Sequence, residues 1–250
     1  VLINKALLDI PQKFTNQQPI NPEREIRNQI MPKTWGGTEG LCEDIQYYSK
    51  WIEKKAKERI GHLYPKIKIT NEIAYERNDL KKYKGQDLEV IAWLWARTIK
   101  SSNPAFTNED VPLVSTFMLS TAAGKESYIE PLIENNKYKF IVKMGRPLNY
   151  TEVNRGTKLS RGANFKCILS GSPIESSHIY SQAKAGRMGM RLMAVVVKGV
   201  KERLYLSPND EIELVASQAK PVWKPELLIA NNPRSFSPPL YGFKTFGELF

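Results

Sequence analysis

The chain has 250 residues, 41% of them hydrophobic, so it can bury a core, and its length allows one large domain or two small ones. The 37 Lys and Arg outnumber the 26 Asp and Glu, and the resulting net charge of +11 favours a polyanionic partner, nucleic acid ahead of an anionic membrane. No apolar run is long enough to cross a bilayer, and the two cysteines, Cys42 and Cys167, do not suggest a disulfide framework. We therefore expect a cytoplasmic protein without a membrane partner.

The N-terminal residues predict a short helix followed by a loop. Leu2, Ala6 and Asp9 recur at helical spacing, and Pro11 is expected to end that helix. Residues 14–35 are rich in Asn, Gln and Pro and have no clean period. We expect this stretch to be a surface loop.

A long amphipathic helix is predicted next, starting at Thr38 as its cap and ending before Pro65. Its apolar side chains recur at steps of three and four residues, at Leu41, Ile45, Tyr48, Ile52, Ala56 and Ile60. Charged residues fill the opposite face. A domain boundary is expected near Gly85, where a polar stretch gives way to aromatic and β-branched residues.

The middle of the chain predicts mostly antiparallel strands, separated by Gly, Pro and Asn turns. The candidate strands are Glu89 to Ile99, Val111 to Leu119, Tyr138 to Met144, Phe165 to Leu169 and Leu192 to Lys198. A helix is expected over Asn209 to Ala219, and a Pro-rich, extended tail from Lys220. The expected fold class is α+β, with regions at 1–86, 87–206 and 207–250 and helical segments at both ends around the β middle.

Positive charge is concentrated between Ile141 and Tyr205. This segment contains twelve Lys or Arg and three Glu, which gives a net charge of +9. Within it, the segment from Lys184 to Arg191 combines cations with two glycines, which would let a backbone approach phosphates. The candidate DNA contacts are Lys184, Arg187 and Arg191, followed by Arg155, Lys158 and Arg161. The alternative is a solvated surface whose charges only aid solubility.

Two short motifs resemble functional ones without matching them. The segment Cys167-Ile-Leu-Ser170-Gly has the turn residues of a zinc knuckle, with Ser at the second ligand position; the alternative is an ordinary turn after a strand with a buried Cys. Ser237-Pro-Pro-Leu240 resembles the Asp-Pro-Pro-Tyr tetrapeptide of amino-methyltransferases but lacks its acidic head and aromatic end. His62 and His178 stand apart from any candidate nucleophile or metal ligand. No residue is assigned a catalytic, cofactor-binding or metal-binding role.

Five segments together resemble the large adenine-specific DNA methylases that contain a zinc ribbon. They are Val1-Leu-Ile-Asn-Lys-Ala-Leu-Leu-Asp-Ile-Pro11, Ile91-Ala-Trp-Leu-Trp-Ala-Arg-Thr98, Val111-Pro-Leu-Val114, Lys184-Ala-Gly-Arg-Met-Gly189 and Tyr241-Gly-Phe-Lys-Thr-Phe-Gly-Glu-Leu-Phe250. In that family the opening segment follows an Asp-x-Asn-Pro turn of the S-adenosylmethionine site, and the Asp-Pro-Pro-Tyr loop lies beyond the closing segment. The resemblance implies that this chain is an internal piece of such a methyltransferase, whose other parts carry the methyl donor and the catalytic loop.

The resemblance also implies a degenerate zinc ribbon in the β middle. The four ligand positions of the family fall on Ser101, Phe106, Cys167 and Ser170, so three of four ligands are replaced. Serine keeps its proton at neutral pH and is a poor zinc ligand. We expect no bound zinc, with Phe106 filling the space of the metal by packing; stoichiometric zinc by elemental analysis would contradict this.

Three interpretations follow from these patterns. The first is a part of an S-adenosylmethionine-dependent adenine-N6 methyltransferase that grips double-stranded DNA while a base is flipped out, in restriction–modification or other phage defence. The second is a DNA-binding module without chemistry. The third is a structural insertion that contacts the rest of the parent chain or another subunit through the apolar helix face around Ile45 and Ile52.

Overall fold

A computed structural model describes residues 2–31, 33–219, 221–230 and 237–249. The chain forms two compact units, Val1–His62 (unit 1) and Leu63–Phe250 (unit 2). The α+β class, with helices in the N-terminal region and antiparallel strands in the middle, is confirmed. Within the described residues, no helix combines the length and apolar character that crossing a bilayer would require.

Unit 1 begins with one continuous helical stretch. It consists of α1 (Leu2–Asn4), a π-helical turn (Lys5–Asp9) and α2 (Ile10–Lys13); Val1, where the prediction began, lies outside the described residues. The prediction that Pro11 ends this helix is wrong. The preceding π turn bonds the N–H of Ile10 to the oxygen of Lys5, five residues back, and Pro11 occupies the first turn of α2, where a missing N–H costs little.

The loop predicted over 14–35 contains a nine-residue helix, α3 (Pro22–Ile30). Asn21 caps it by accepting a hydrogen bond from the backbone N–H of Arg24 at 3.0 Å, and Pro22 stands at the first helical position. These start signals were present in the sequence. The surrounding Asn, Gln and Pro residues masked them.

The long predicted helix is confirmed as α4 (Glu39–Ile60). Thr38 stands at its N-cap position, but its side chain makes no capping hydrogen bond. Asp44 on α4 binds the preceding segment instead: its carboxylate accepts from the backbone N–H of Ile20 at 3.0 Å, and from the backbone and side-chain amides of Asn21 at 2.9 and 2.8 Å. Polar contacts therefore fix α3 onto α4.

Unit 2 is built from short helices and antiparallel strands. Its helices are α5 (Asn71–Glu76), α6 (Tyr150–Arg155), α7 (Ser176–Lys184) and α8 (Asp210–Ser217). Its strands are β1 (Lys66–Lys68), β2 (Asp87–Lys100), β3 (Asp110–Leu113), β4 (Met118–Ser120), β5 (Ser127–Glu134), β6 (Lys137–Met144), β7 (Phe165–Lys166), β8 (Pro173–Ile174), β9 (Gly189–Lys198) and β10 (Arg203–Leu206).

These strands form three antiparallel sheets within the described part of the chain. The largest has the order β1-β2-β9-β10, with β3 also paired to β2. The second has the order β4-β5-β6, and the third is the β7-β8 pair. Because β1 pairs with β2 on either side of Gly85, the boundary predicted there falls inside unit 2.

Both faces of the largest sheet are covered, which explains why β2 and β9 lack a clean polar alternation. On one face, Val195 and Val197 of β9 pack with Leu80 and Leu204. On the other face, Ala194 joins a cluster from the β4-β5-β6 sheet, which includes Ile129, Phe140 and Val142. The Ala-Val-Val-Val run of β9 is therefore buried throughout.

Most predicted strands are confirmed, with differences at particular residues. The candidate from Val111 to Leu119 divides into β3 and β4, and the one from Phe165 to Leu169 shortens to β7. Strand β5 was missed because it contains Pro131, and Pro is depleted in strands. The predicted C-terminal helix is confirmed as α8, capped by Asn209, whose side chain accepts from the N–H of Ile212 at 2.8 Å.

The C-terminal tail has local structure that its composition did not predict. The tail was expected to start at Lys220, which lies outside the described residues. Leu228 forms a bridge with Thr245, and 3-10 turns span Pro238–Tyr241 and Phe246–Leu249. These turns bring the end of the chain onto the body of unit 2, where the predicted cations lie.

Candidate nucleic-acid interface

One buried cluster in unit 2 organises the region of predicted DNA contacts. Ile99 of β2, Val111 of β3, Cys167 after β7 and Ile179 of α7 form its interior. Partly buried side chains pack around it, at Phe165, Tyr180, Met188 and Tyr241. The cluster therefore joins α7, the segment around β7 and the C-terminal tail.

A pocket of about 310 Å³ lies beside this cluster and shares lining residues with it. Aromatic rings of Phe165, Tyr241 and Phe243 line it together with one guanidinium, that of Arg97. Tyr180 packs edge-on against Tyr241 with ring centroids 4.9 Å apart, and Phe243 lies 6.5 Å from Tyr241. Burial raises the pKa of the Tyr241 phenol above its usual value. We call this feature the aromatic pocket.

Three of the predicted cations are next to residues of the aromatic pocket. Lys158 forms a β-bridge with Phe165, and Arg187 directly precedes Met188, another lining residue. Lys184, the last residue of α7, lies against Gly242: a Cβ added to that glycine would meet the Lys184 Cγ at 3.3 Å. Two segments that are separate in sequence thus carry cations next to residues that line one pocket.

Backbone geometry fixes the segment that carries Lys158. Gly156 has φ +62°, and a Cβ there would meet the carbonyl oxygen of Val114 at 2.5 Å, so only glycine fits. The hydroxyl of the buried Thr157 donates to the oxygen of Pro112 at 3.0 Å and accepts from the N–H of Val114 at 2.9 Å. Lys158 is therefore held at a defined place beside β3.

The remaining predicted cations differ in their surroundings. Arg155 is the exposed last residue of α6, and Arg161 is exposed in the loop that precedes Ala163 of the buried cluster. Arg191 on β9 is paired: its Nε lies 3.4 Å from the Glu213 carboxylate, which also accepts from the N–H of Leu192 at 3.0 Å. The charge of Arg191 is thus compensated within the chain, and its role as a DNA contact stays a prediction.

The other five cations have no carboxylate partner in the part of the chain that the structure describes. Arg187 donates from Nε to the amide oxygen of Gln182 at 2.9 Å, which orients its guanidinium without neutralising it. Cations that have no carboxylate partner can bind phosphates, and aromatic rings beside them can stack on bases. The lining residues named above supply no carboxylate or imidazole for proton transfer.

The structure brings together three of the four positions that the resemblance assigns to a zinc ribbon. The Ser101 hydroxyl lies 3.5 Å from the sulfur of the buried Cys167, and Ser170 also hydrogen-bonds to it. Burial raises the pKa of the Cys167 thiol, but hydrogen bonds from Ser101, Ser170 and two backbone N–H groups lower it overall below its usual value. The turn is closed by the N–H of Gly171, which donates to the Cys167 oxygen at 2.8 Å.

These residues do not fit a zinc ion. Two hydroxyls and one thiol hold one another by hydrogen bonds, and a hydroxyl keeps its proton where zinc needs an anion or imidazole. Within the described ranges, no three His, Cys, Asp or Glu side chains lie together as a metal site would require. The role of Phe106, in the 3-10 turn Pro104–Phe106, as a packing substitute stays a prediction.

Sequence reasoning missed the lining of the aromatic pocket. Arg97, Tyr241 and Phe243 lie within segments that carried the family resemblance, but nothing in their spacing indicated that β2 and the tail meet. Ser237 and Pro238 of the Ser-Pro-Pro-Leu segment also line the pocket. The aromatic residues in that tail were the available signal.

Comparison with known proteins does not extend these observations, because no family model, curated protein or solved structure matches the chain.

Proposed function

We propose that this chain supplies DNA contacts to an S-adenosylmethionine-dependent adenine-N6 DNA methyltransferase. One observation supports the DNA-binding part: Lys158, Lys184 and Arg187, which come from two distant segments and have no carboxylate partner among the described residues, adjoin residues that line the aromatic pocket. Cations that contact phosphates give affinity, and rings beside them offer stacking surfaces. The methyltransferase part rests on the resemblance of the five segments described above.

The methyl donor does not fit the aromatic pocket. S-adenosylmethionine supplies an electrophilic methyl group on a cationic sulfur and also carries an ammonium group. Arg97 lines the pocket and further cations adjoin its lining residues, which disfavours such a ligand. Among the described residues that line the pocket, none is a carboxylate that could hold ribose hydroxyls. We propose that the donor binds to other parts of the methyltransferase.

A fluorescence-anisotropy titration with a random-sequence DNA duplex at low salt tests the DNA-binding part. Changing Lys184 and Arg187 together to Ala should weaken binding about tenfold or more, because each removes a phosphate contact. The matched control changes Lys137 and Lys139 of β6 to Ala, which removes the same charge from exposed positions elsewhere in unit 2. Equal weakening by both pairs would reduce the effect to net charge and contradict the proposed surface.

A second candidate function is contact with another protein surface. It is favoured by α4, where Ile45 is 56% and Ile52 is 60% exposed. In that case the double change of Ile45 and Ile52 to Glu would abolish assembly with the rest of the methyltransferase, measured by analytical ultracentrifugation, while DNA binding by unit 2 stays the same.

A further inference from the structure

A second charged cleft lies elsewhere in unit 2, away from the six predicted contacts. Its volume is about 600 Å³, and three separate segments line it: the 3-10 turn Asn78–Tyr83, the connection from β4 to β5, and the turn from β9 to β10. Five cations line it, at Lys81, Lys82, Lys125, Lys201 and Arg203. Among the described residues, two carboxylates line it, at Asp79 and Glu202. We call this feature the lysine cleft.

The two carboxylates do not neutralise the positive charge of all the cations that line the cleft. Asp79 is held by Arg77, whose guanidinium donates two hydrogen bonds to it at 2.8 and 2.9 Å and a third to the oxygen of Tyr205 at 3.0 Å. Asp79 therefore compensates a cation that is not part of the lining. In the described part of the chain, Lys81, Lys201 and Arg203 have no carboxylate partner.

Glu202 arranges the remaining cations. Its carboxylate accepts from Lys82 at 2.5 Å, from Lys125 at 3.2 Å and from the Tyr83 hydroxyl at 3.1 Å, so it links all three segments of the cleft. The Tyr83 oxygen also accepts from the N–H of Val200 at 3.0 Å, which fixes the turn that carries Lys201 and Arg203. Lys82, Lys125 and the backbone of the turn before Lys201 are thus held in place before any ligand binds, which lowers the entropy cost of binding.

Ser127, the first residue of β5, contributes to the wall of the cleft. Its side chain is fully buried, and its hydroxyl has no hydrogen-bond partner among the described residues. The cations of the cleft, which are exposed, are therefore the groups that a ligand would contact.

We propose that the lysine cleft binds a phosphate group, carried either by a DNA backbone or by a free nucleotide. A phosphate presents several acceptor oxygens and up to two negative charges, which match the exposed cations that have no carboxylate partner among the described residues. Where the phosphate belongs to DNA, the inference rests on the proposed function and adds a second contact surface for the duplex. Where it belongs to a nucleotide, the inference is independent of that function.

Isothermal titration of the full chain with inorganic pyrophosphate tests the site. The double change of Lys201 and Arg203 to Glu should weaken pyrophosphate binding at least tenfold, because it replaces two attractive charges with two repulsive ones. The matched control changes the exposed Lys137 and Lys139 to Glu and should leave binding nearly unchanged. No saturable binding to the native chain, or equal loss in the control, would overturn the inference.

Competition identifies the source of the phosphate. A duplex that displaces pyrophosphate assigns the site to a DNA backbone, and a mononucleotide that displaces it where the duplex does not assigns it to a nucleotide. If pyrophosphate fails to bind while the Lys184 and Arg187 changes still weaken duplex binding, the lysine cleft is refuted and the proposed function stands. If pyrophosphate binds but the native chain has no affinity for duplex, the proposed function fails and the cleft stands.

Discussion

The two units of this chain differ in how far they bury their apolar side chains. In the described part of unit 1, only Pro19, Asn21, Trp35 and Gly40 are buried, and large apolar side chains along its helices are exposed. Unit 2 buries three clusters around its antiparallel sheets. Unit 1 is fixed by polar contacts such as Asp44 with the Asn21 amides, whereas unit 2 is stabilised by a core.

The difference shows that a hydrophobic pattern in sequence predicts a helix more reliably than it predicts burial. The periodic residues of α4 do form one helix, yet Ile52 and Ile60 stay exposed, at 60% and 45%. In unit 2 the same kinds of residue are buried because sheets and short helices close over them. The following predictions test this contrast, from the largest expected effect to the smallest.

The largest effect is expected from matched truncations in the two units. Changing Leu80, which is fully buried in unit 2, to Ala should lower the free energy of unfolding by about 2 to 5 kcal/mol. Changing the exposed Ile52 of α4 to Ala should alter it by less than about 0.5 kcal/mol, since Ala favours helix and little packing is lost. Urea denaturation measures both. A cost for Ile52→Ala close to that of Leu80→Ala would mean that the α4 face is covered in solution.

A smaller effect is expected from ion pairs. Arg77 is 11% exposed, and it binds Asp79 and the oxygens of Tyr205 and Val142, so Arg77→Met should cost about 2 to 3 kcal/mol by leaving these acceptors unpaired. In unit 1 the change Glu58→Gln, which removes the exposed ion pair with Lys55, should leave the stability nearly unchanged, because solvent screens exposed pairs. Thermal unfolding compares them, and equal losses would contradict the contrast.

The smallest effect is expected from acid titration of Glu202. Hydrogen bonds from Lys82 and Lys125 lower the pKa of this carboxyl to about 2 from its ordinary 4.5. Because the folded-state pKa is depressed, Glu202 stabilises the fold above pH 4.5, and this contribution is lost as the pH falls toward 2. After solvent screening we expect about 1 kcal/mol. The Glu202→Gln variant should unfold with a flatter dependence on pH in this range; a dependence as steep as that of the native chain would refute the assignment.

Much of the fold could be predicted from local patterns. The apolar, β-branched composition of β2 and β9 predicted strands, and the helical period of apolar residues in α4 predicted a helix. Asn209 indicated the start of α8. Prediction from the sequence was wrong where contacts in the folded chain override a local preference. Pro131 within β5 is one example, and the helix that continues past Pro11 is another.

The candidate site was only partly predictable. The charge excess indicated Lys158, Lys184 and Arg187, but their convergence on the aromatic pocket depends on tertiary packing of Phe165 and Tyr241 that no local pattern encodes. Counting charges along the sequence also predicted Arg191 as a DNA contact on the same grounds as Lys184 and Arg187. The structure distinguishes it, because Glu213 comes from α8, outside the segment in which charge was counted.

The salt dependence of duplex binding tests the central claim most directly. The logarithm of the binding constant is measured against the logarithm of salt concentration for the native chain and for a variant in which Lys158, Arg161, Lys184 and Arg187 are all changed to Ala. Each lost phosphate contact should reduce the magnitude of the slope by about 0.9, so the variant should have a slope shallower by about 3 to 4. An unchanged slope, or no binding by the native chain at low salt, would contradict the account.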